Sequence, residues 1–282
     1  MKNVNKLAIL AFASALALTS CGKKDAASVK ELDGEWTVSS EITTSNTKNT
    51  STSGTYKHVT ESKTSETNTS GTITGEETSN STVTNGTTTT INSDPKTEIS
   101  GKVTRTVTFS KKDGTYVSED KGERITESTD ISSTTGSSYT YTTVVKATDK
   151  FTQTEEGTYY LNEKVGDTKK GTKLIVDIAS DVRKGTITTV TTTTVTYNGS
   201  SQITTSTETD DYTTTYTRDG ASQTKVFDVT ESTKNSLKLS NVGSYTYTAE
   251  TSHSETYSNS TTITKSESDY EVTETKDVEL TK

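Results

Sequence analysis

Apolar residues in this chain recur at spacing two, and no stretch beyond the first thirty or so residues carries a helical period. "VTRTVTF" sets Val103, Val107 and Phe109 on one face and Thr104, Thr106 and Thr108 on the other. "YEVTETKDVEL" does the same with Tyr270, Val272, Val278 and Leu280 against Glu271, Thr273, Thr275, Asp277 and Glu279. In "KLIVDI" Leu174, Val176 and Ile178 share a face. Such alternation marks half-buried antiparallel strands, apolar inward and polar outward. Asn85-Gly86, Asp113-Gly114, Asn198-Gly199 and Asp219-Gly220 sit between alternating runs and supply the positive φ that tight hairpins need. Asp94-Pro95 is a further break. With no segment long enough for a crossover helix, a parallel sheet is excluded. The expected fold is all-β, an antiparallel up-and-down meander closing into a barrel with long Thr-rich hairpins.

The pattern has to carry the fold with little apolar material. Hydrophobic residues make up 26% of the chain. That share alone would suggest disorder. A single Pro, 13 Tyr and a Thr content near one quarter point instead to pleated, half-buried strands around a thin core. "TITTVTTTTVTY", from Thr186 to Tyr197, is the extreme case. Ile187, Val195 and Tyr197 share one face and Val190 sits on the other, so the run reads as one arm of a hairpin. Gly54-Thr55-Tyr56, Gly114-Thr115-Tyr116, Gly157-Thr158-Tyr159 and Gly243-Ser244-Tyr245 read as recurring strand starts, each Gly leaving a turn and each Tyr opening a buried face.

The N-terminus gives an address. Lys2 and Lys6 precede the apolar run "LAILAFASALAL", which is short for a bilayer span and has the form of an export signal. "LTSCG" follows directly, ending at Gly22. It resembles a bacterial lipobox, and that resemblance implies removal of residues 1–20 and acylation of Cys21. The alternative is an ordinary secretory signal cut nearby, with Cys21 a free thiol. Residues 21–31 read as a polar tether and 32–282 as the β domain. Cys21 is the only Cys, so no intrachain disulfide forms. Loss of Lys2 and Lys6 makes the formal charge of −8 more negative still, which argues against nucleic acid as a partner. The expected partner is the membrane, through the N-terminal lipid, and the expected place is the cell envelope at the outer membrane.

Little in the sequence carries chemistry. His58 and His253 lie far apart in Thr/Ser-rich runs, read as exposed, without metal-ligand spacing. No Gly-x-Ser-x-Gly elbow is present. Glu155-Glu156 and Asp210-Asp211 are strand neighbours, so their side chains point to opposite faces and make poor acid/base pairs. No metal, cofactor or catalytic residue is expected, and the protein reads as a non-enzyme. Tyr139, Tyr141, Tyr245 and Tyr247 pair at spacing two, either as a stacking surface for sugar or peptide or as cross-strand support.

Four stretches in order carry a family resemblance. "LDGEW" (Leu32 to Trp36) resembles the Gly-x-Trp opening of lipocalin-like (calycin) proteins. "VTFSKKDGTY" (Val107 to Tyr116), "EEGTYYL" (Glu155 to Leu161) and "VFDVTESTKNSLKLS" (Val226 to Ser240) resemble later hairpins of lipocalin-like lipoproteins of Bacteroidota. The resemblance implies a lipocalin-like barrel. Gly34 and Trp36 would open its first strand, the indole packed over the closed end, and Asp113, Gly114 and Tyr116 would form a signature hairpin. Many lipocalins cap that Trp with an Arg from the last strand, whereas the segment from Asn241 has none. Thr43 to Ser100 is longer and richer in Thr than the family's first hairpins. The implied function is non-catalytic binding of a small apolar or amphipathic ligand. The alternative is a surface structural or adhesive lipoprotein that contacts host or matrix through its Thr/Tyr-rich hairpins. If residues 186–217 are strand, hydrogen–deuterium exchange will find slow amides along them; uniformly fast exchange is the contrary result.

Overall fold

The computed structural model describes residues 27–53, 56–85, 88–93, 96–133, 139–164, 170–197, 199–218, 223–257 and 260–282. Cys21, Asp94-Pro95, Asp219-Gly220 and the first two residues of the Gly54 motif lie outside them. The alternation becomes one antiparallel sheet whose strands return on themselves. Strands running upward are β2 (Gly34–Ser53), β4 (Thr72–Asn85), β7 (Thr115–Ser133), β9 (Lys170–Tyr197) and β12 (Ser236–Tyr257). Between them descend β3 (Tyr56–Thr69), β6 (Thr97–Ser110), β8 (Tyr139–Lys164) and β13 (Ser260–Thr281). Two further descents are interrupted. β5 (Thr88–Ser93) precedes β6 along the edge of β4, and β10 (Ser200–Arg218) precedes β11 (Thr224–Ser232) between β9 and β12.

The ring changes strand number with height. At the base, among the described residues, eight strands close it: β2, β6, β7, β8, β9, β11, β12 and β13. Higher up, β3 and β4 enter between β2 and β6, and β10 stands in place of β11, so ten strands close it. The fork is made by the β3–β4 turn. Ser70 and Gly71 have φ of 51° and 84°, the positive pair that a tight hairpin with the sheet's own twist requires. Ser70 N–H donates to Ser39 O at 2.8 Å, and Gly71 O accepts from Val103 N–H at 2.8 Å. Buried Asn68 donates to Val103 O at 3.1 Å and accepts from Gly71 N–H at 3.1 Å. The tip is thereby bonded to both strands it separates. This insertion accounts for the long Thr43–Ser100 segment.

Alternation fills the base with apolar side chains. Trp36, Phe109, Leu174, Leu237 and Leu280 are all essentially inaccessible. Trp36 Nε1 donates to Leu32 O at 2.7 Å, so the indole's polar edge is satisfied where it is buried. The Lys282 ammonium lies 4.5 Å from the ring centroid and donates to Asp33 O at 2.7 Å and Glu31 O at 3.1 Å. A lysine thus covers the indole, and no arginine is needed from the last strand. Residues before 32 also join the fold. β1 (Ala27–Ser28) pairs with β9, and α1 (Val29–Leu32) is a single turn held by a reciprocal Ser28–Glu31 box.

Three details differ from the sequence expectations. Of the Gly-Thr/Ser-Tyr motifs, only Gly114 (φ 66°) leaves a turn within the described residues. Gly157 and Gly243 lie inside β8 and β12. A Cβ on Gly157 would meet Asp177 O at 2.0 Å, so the strand needs glycine there to bend at the adjoining bulge. Tyr116, Tyr159 and Tyr245 face inward, as expected. Secondly, Thr186–Tyr197 pairs with β10 as a hairpin arm, as expected, but β8 flanks its other side, so it is also a central strand. Thirdly, His58 and His253 are half-buried on β3 and β12, because their registers place them on the inner face.

The outer wall is mostly polar, with scattered exposed apolar residues such as Ile42 and Val242. Glu98, Lys102, Glu119, Lys121, Glu271 and Asp277 all project outward and exposed. A bilayer-spanning barrel carries an apolar outer band there instead. No helix among the described residues is long and apolar enough to cross a membrane. Replacing Trp36 with Ala should lower stability by about 3–5 kcal/mol, read as a reduced denaturant midpoint.

Candidate functional site

Inward positions switch from apolar to charged at one level, just above the base. Along β6 the inner face reads Phe109, Val107, then Arg105. Along β13 it reads Leu280, Val278, then Lys276. β2 passes from Val38 to Glu41, β9 from Ile178 to Asp181, and β11 from Phe227 to Lys225. β7, β8 and β10 add Asp120, Glu155 and Arg218. These eight charges, four of each sign, line a cavity of about 210 Å³ whose floor is Val107, Phe109, Leu174, Val176, Leu239 and Val278.

The charges are paired around the ring. Arg105 bridges Glu41 and Asp120 through three hydrogen bonds. Lys276 reaches Glu41 at 2.9 Å across the β2–β13 seam. Lys225 meets Glu155 at 2.7 Å, and the Tyr116 hydroxyl donates to the same carboxylate at 2.9 Å. Arg218 Nη2 lies 3.2 Å from Asp181 and 3.5 Å from Glu155. Gln153 donates to Asp181 at 2.8 Å. Charged partners this close, with little water between them, are arranged to offset the desolvation of each ion.

Burial and pairing pull the ionisations apart. Burial alone would raise the Glu155 carboxyl, but Lys225, Arg218 and the Tyr116 hydroxyl outweigh it and bring its pKa from 4.5 to about 2. Glu41 falls further for the same reason, burial being overcome by Arg105 and Lys276. Asp181 moves the other way, pushed up by burial and by the Glu155 charge. Burial, then Glu155, drives the Tyr116 phenol well above its usual range. Each carboxylate in the layer has a cation or a hydrogen-bond donor within contact, so the layer holds fixed charge beside an apolar floor.

Above this layer the interior stays polar and aromatic. Arg183 stacks over Phe151 at 3.7 Å, pairs with Asp149, and donates to the Tyr212 hydroxyl at 2.8 Å. Tyr212 donates in turn to Asp149 at 2.8 Å. Tyr247 stacks on Tyr270 at 4.8 Å and meets Tyr216 edge-on at 5.5 Å. Tyr139 stacks on Tyr197 at 4.3 Å. Of the tyrosines noted at spacing two, Tyr245 and Tyr247 are half-buried and Tyr139 and Tyr141 exposed, and their ring contacts run both along the strand, Tyr139–Tyr141 and Tyr245–Tyr247, and across strands.

Of the residues singled out from sequence, Trp36 and Tyr116 come together at the base. Phe109 lies 5.7 Å from Tyr116 and 4.9 Å from Tyr159. Gly34 (φ 110°) opens β2 opposite Phe109. Asp113 accepts from the Ser110 hydroxyl at 3.1 Å in the turn that Gly114 closes. Cys21 lies outside the described residues. Glu155 and Glu156 do point apart, one buried and one exposed. The charged layer was missed. Its signal was present as a charged residue on the apolar side of an alternating run, Arg105 between Val103 and Val107 and Lys276 between Val272 and Val278. Among the described residues no group of three or more His, Cys, Asp or Glu is placed to hold a metal.

No protein-family model matches the chain, and no curated protein does. Among solved structures it is similar to the translocator domain of the autotransporter NalP from Neisseria meningitidis, with TM-score 0.35 and 10% identity over 96% of this chain and 92% of that one. A likeness of that size carries no argument about fold or function.

The depressed carboxyls set an acid limb of stability. A carboxyl held below its unfolded pKa stabilises the fold above that value and loses the contribution as pH falls through the folded one. For Glu155 that window runs from about 4.5 down to about 2, and Glu41 extends it lower. Asp181, raised, opposes them, because its protonation favours the folded state as pH falls. Unfolding free energy, read from denaturant titrations, should therefore fall below about pH 4.5, by an amount on the order of a few kcal/mol. Glu155→Gln should be less stable at neutral pH and show a flatter acid limb.

Proposed function

We propose that this is a lipid-anchored cell-envelope protein of lipocalin-like type, whose ring of strands binds a small amphipathic ligand without catalysis. The observation that carries the reading is the cavity between an apolar floor and a fixed charged layer. A ligand pocket combines apolar lining with a few placed polar groups, and this one does so at about 210 Å³, below the usual range of roughly 300–1,000 Å³. The volume equals that of about seven waters at ~30 Å³ each, which suits a compact molecule and not a long-chain lipid. The ordered motifs from Leu32 to Ser240 and the Trp36 closure support the lipocalin-like assignment. The polar outer wall favours a ring standing in water, with the membrane reached only through Cys21. Acylation on one Cys with more than one chain would hold the protein firmly.

Native mass spectrometry of the intact protein, extracted from its own membranes, tests both halves. The expected result is a chain starting at residue 21 with added acyl mass, carrying one small molecule that leaves on denaturation. An unmodified Cys21 would overturn the anchor. A ligand-free spectrum that persists after incubation with small amphiphiles would overturn the binding role.

A further inference from the structure

β10 rises past one of its neighbours. It pairs with β9 from Ser200 to Thr215, but with β12 only from Asp211 to Arg218. Among the described residues, nothing pairs with the other edge of Ser200–Asp210. Ser200 to Thr209 are all exposed, so neither face of this stretch is covered. In an antiparallel ladder each residue turns its N–H and C=O to one neighbour, so alternate residues here aim both groups at open solvent. Folded proteins blunt such an edge with Lys, Pro or a bulge. This one has no Lys, Arg or Pro and follows β9 without a register shift. It carries charge only at Glu208 and Asp210, at its lower end. Its one apolar residue, Ile203, is 67% exposed.

We propose that the Ser200–Asp210 edge pairs with the same edge of a second copy of this chain, antiparallel and about a two-fold axis at Ile203. The strand is its own complement in that register. Ile203 meets Ile203, Ser201 meets Thr205, Gln202 meets Thr204 and Ser200 meets Ser206. Hydroxyl pairs of this kind already run along the other edge, Thr192–Thr205 at 3.4 Å and Thr196–Ser201 at 3.0 Å. Glu208 and Asp210 fall outside the overlap, whereas a deeper overlap would set the acids of one copy against those of the other. Charge thus selects a short contact, tip to tip. A surface that pairs with itself about a two-fold axis closes at two copies. The bases of the two copies then point apart, each with Ala27 at its far end, where β1 pairs with the start of β9. The contact lies above the cavity and is independent of whatever binds there.

Sedimentation velocity of the full chain in mild detergent, at concentrations up to about 100 μM, tests the pairing. The mass should double as concentration rises and then stay constant. Ile203→Lys and Ile203→Glu change an exposed side chain and leave the core untouched. Each sets like charges against one another across the axis and should weaken pairing by about fivefold or more. Mixed one to one, the two variants should form a dimer that neither forms alone at the same concentration, because Lys then faces Glu. That rescue separates lost pairing from misfolding. Amide exchange gives a readout free of any variant: alternate amides between Ser200 and Asp210 should exchange fast in dilute protein and slowly in concentrated protein. A chain that stays monomeric throughout, a dimer indifferent to both variants, a mass that grows past two copies, or a loss that mixing does not restore each overturns the proposal.

Discussion

The hydrogen bonds that seat the Ser70–Gly71 tip between β2 and β6 govern everything above the base. Without them those strands would continue side by side, as they do from Gly34 to Thr37. With them, two more strands enter the wall and the ring widens from eight to ten. Ring width grows with strand number, and an eight-stranded ring has an interior that side chains can fill. The base is accordingly solid, plugged by Trp36 and its neighbours. The space directly above is too wide for the same residues to meet, and there the cavity begins. Asn68 is central to this fork because its one side chain both donates to β6 and accepts from the turn.

The charged layer lies where the solid base gives way to open interior. Water is partly excluded at that height, so each ion needs a partner, and a broken pair would cost more than an intact pair contributes. Pairing proceeds around the circumference, with Lys276–Glu41 spanning the seam between the first and last long strands and Lys225–Glu155 spanning β11 and β8. Charges fixed in this way specify register as well as composition. A slip of one residue in any of these strands would turn its charge out to solvent and leave its partner buried alone. Higher in the ring Arg183 and Asp149 pair again, and above them Thr on both faces marks register weakly, so the levels below set the alignment.

Much of the fold was legible because alternation is a local signal. Val103–Phe109 and Tyr270–Leu280 declared their inner faces, and Asp113-Gly114 declared its turn. The Trp36 closure could be read from a short motif. The wedge could not, since Ser70-Gly71 resembles many turns, and its role lies in bonds to Ser39 and Val103. Gly157 and Gly243 misled for a related reason. Glycine marks either a turn or a mid-strand bend, and only the approach of Asp177 to Gly157 tells which. The charged layer depends on eight residues from eight strands arriving at one height. Each alone looked like an interruption of an apolar face, and only register assembles them.

The seam between β2 and β13 has a consequence for how the ring comes into being. Ser39 and Glu279, bonded across it, are separated by 240 residues of chain. Nearly all the polypeptide must be present before the ring can shut, and contacts of such sequence separation form late and slowly. Until then β2 and β13 each keep one unbonded edge, and the charges of the layer remain open to water. A chain of this design stays unfinished until β13 is available, so the ring shuts as a last, single event rather than strand by strand.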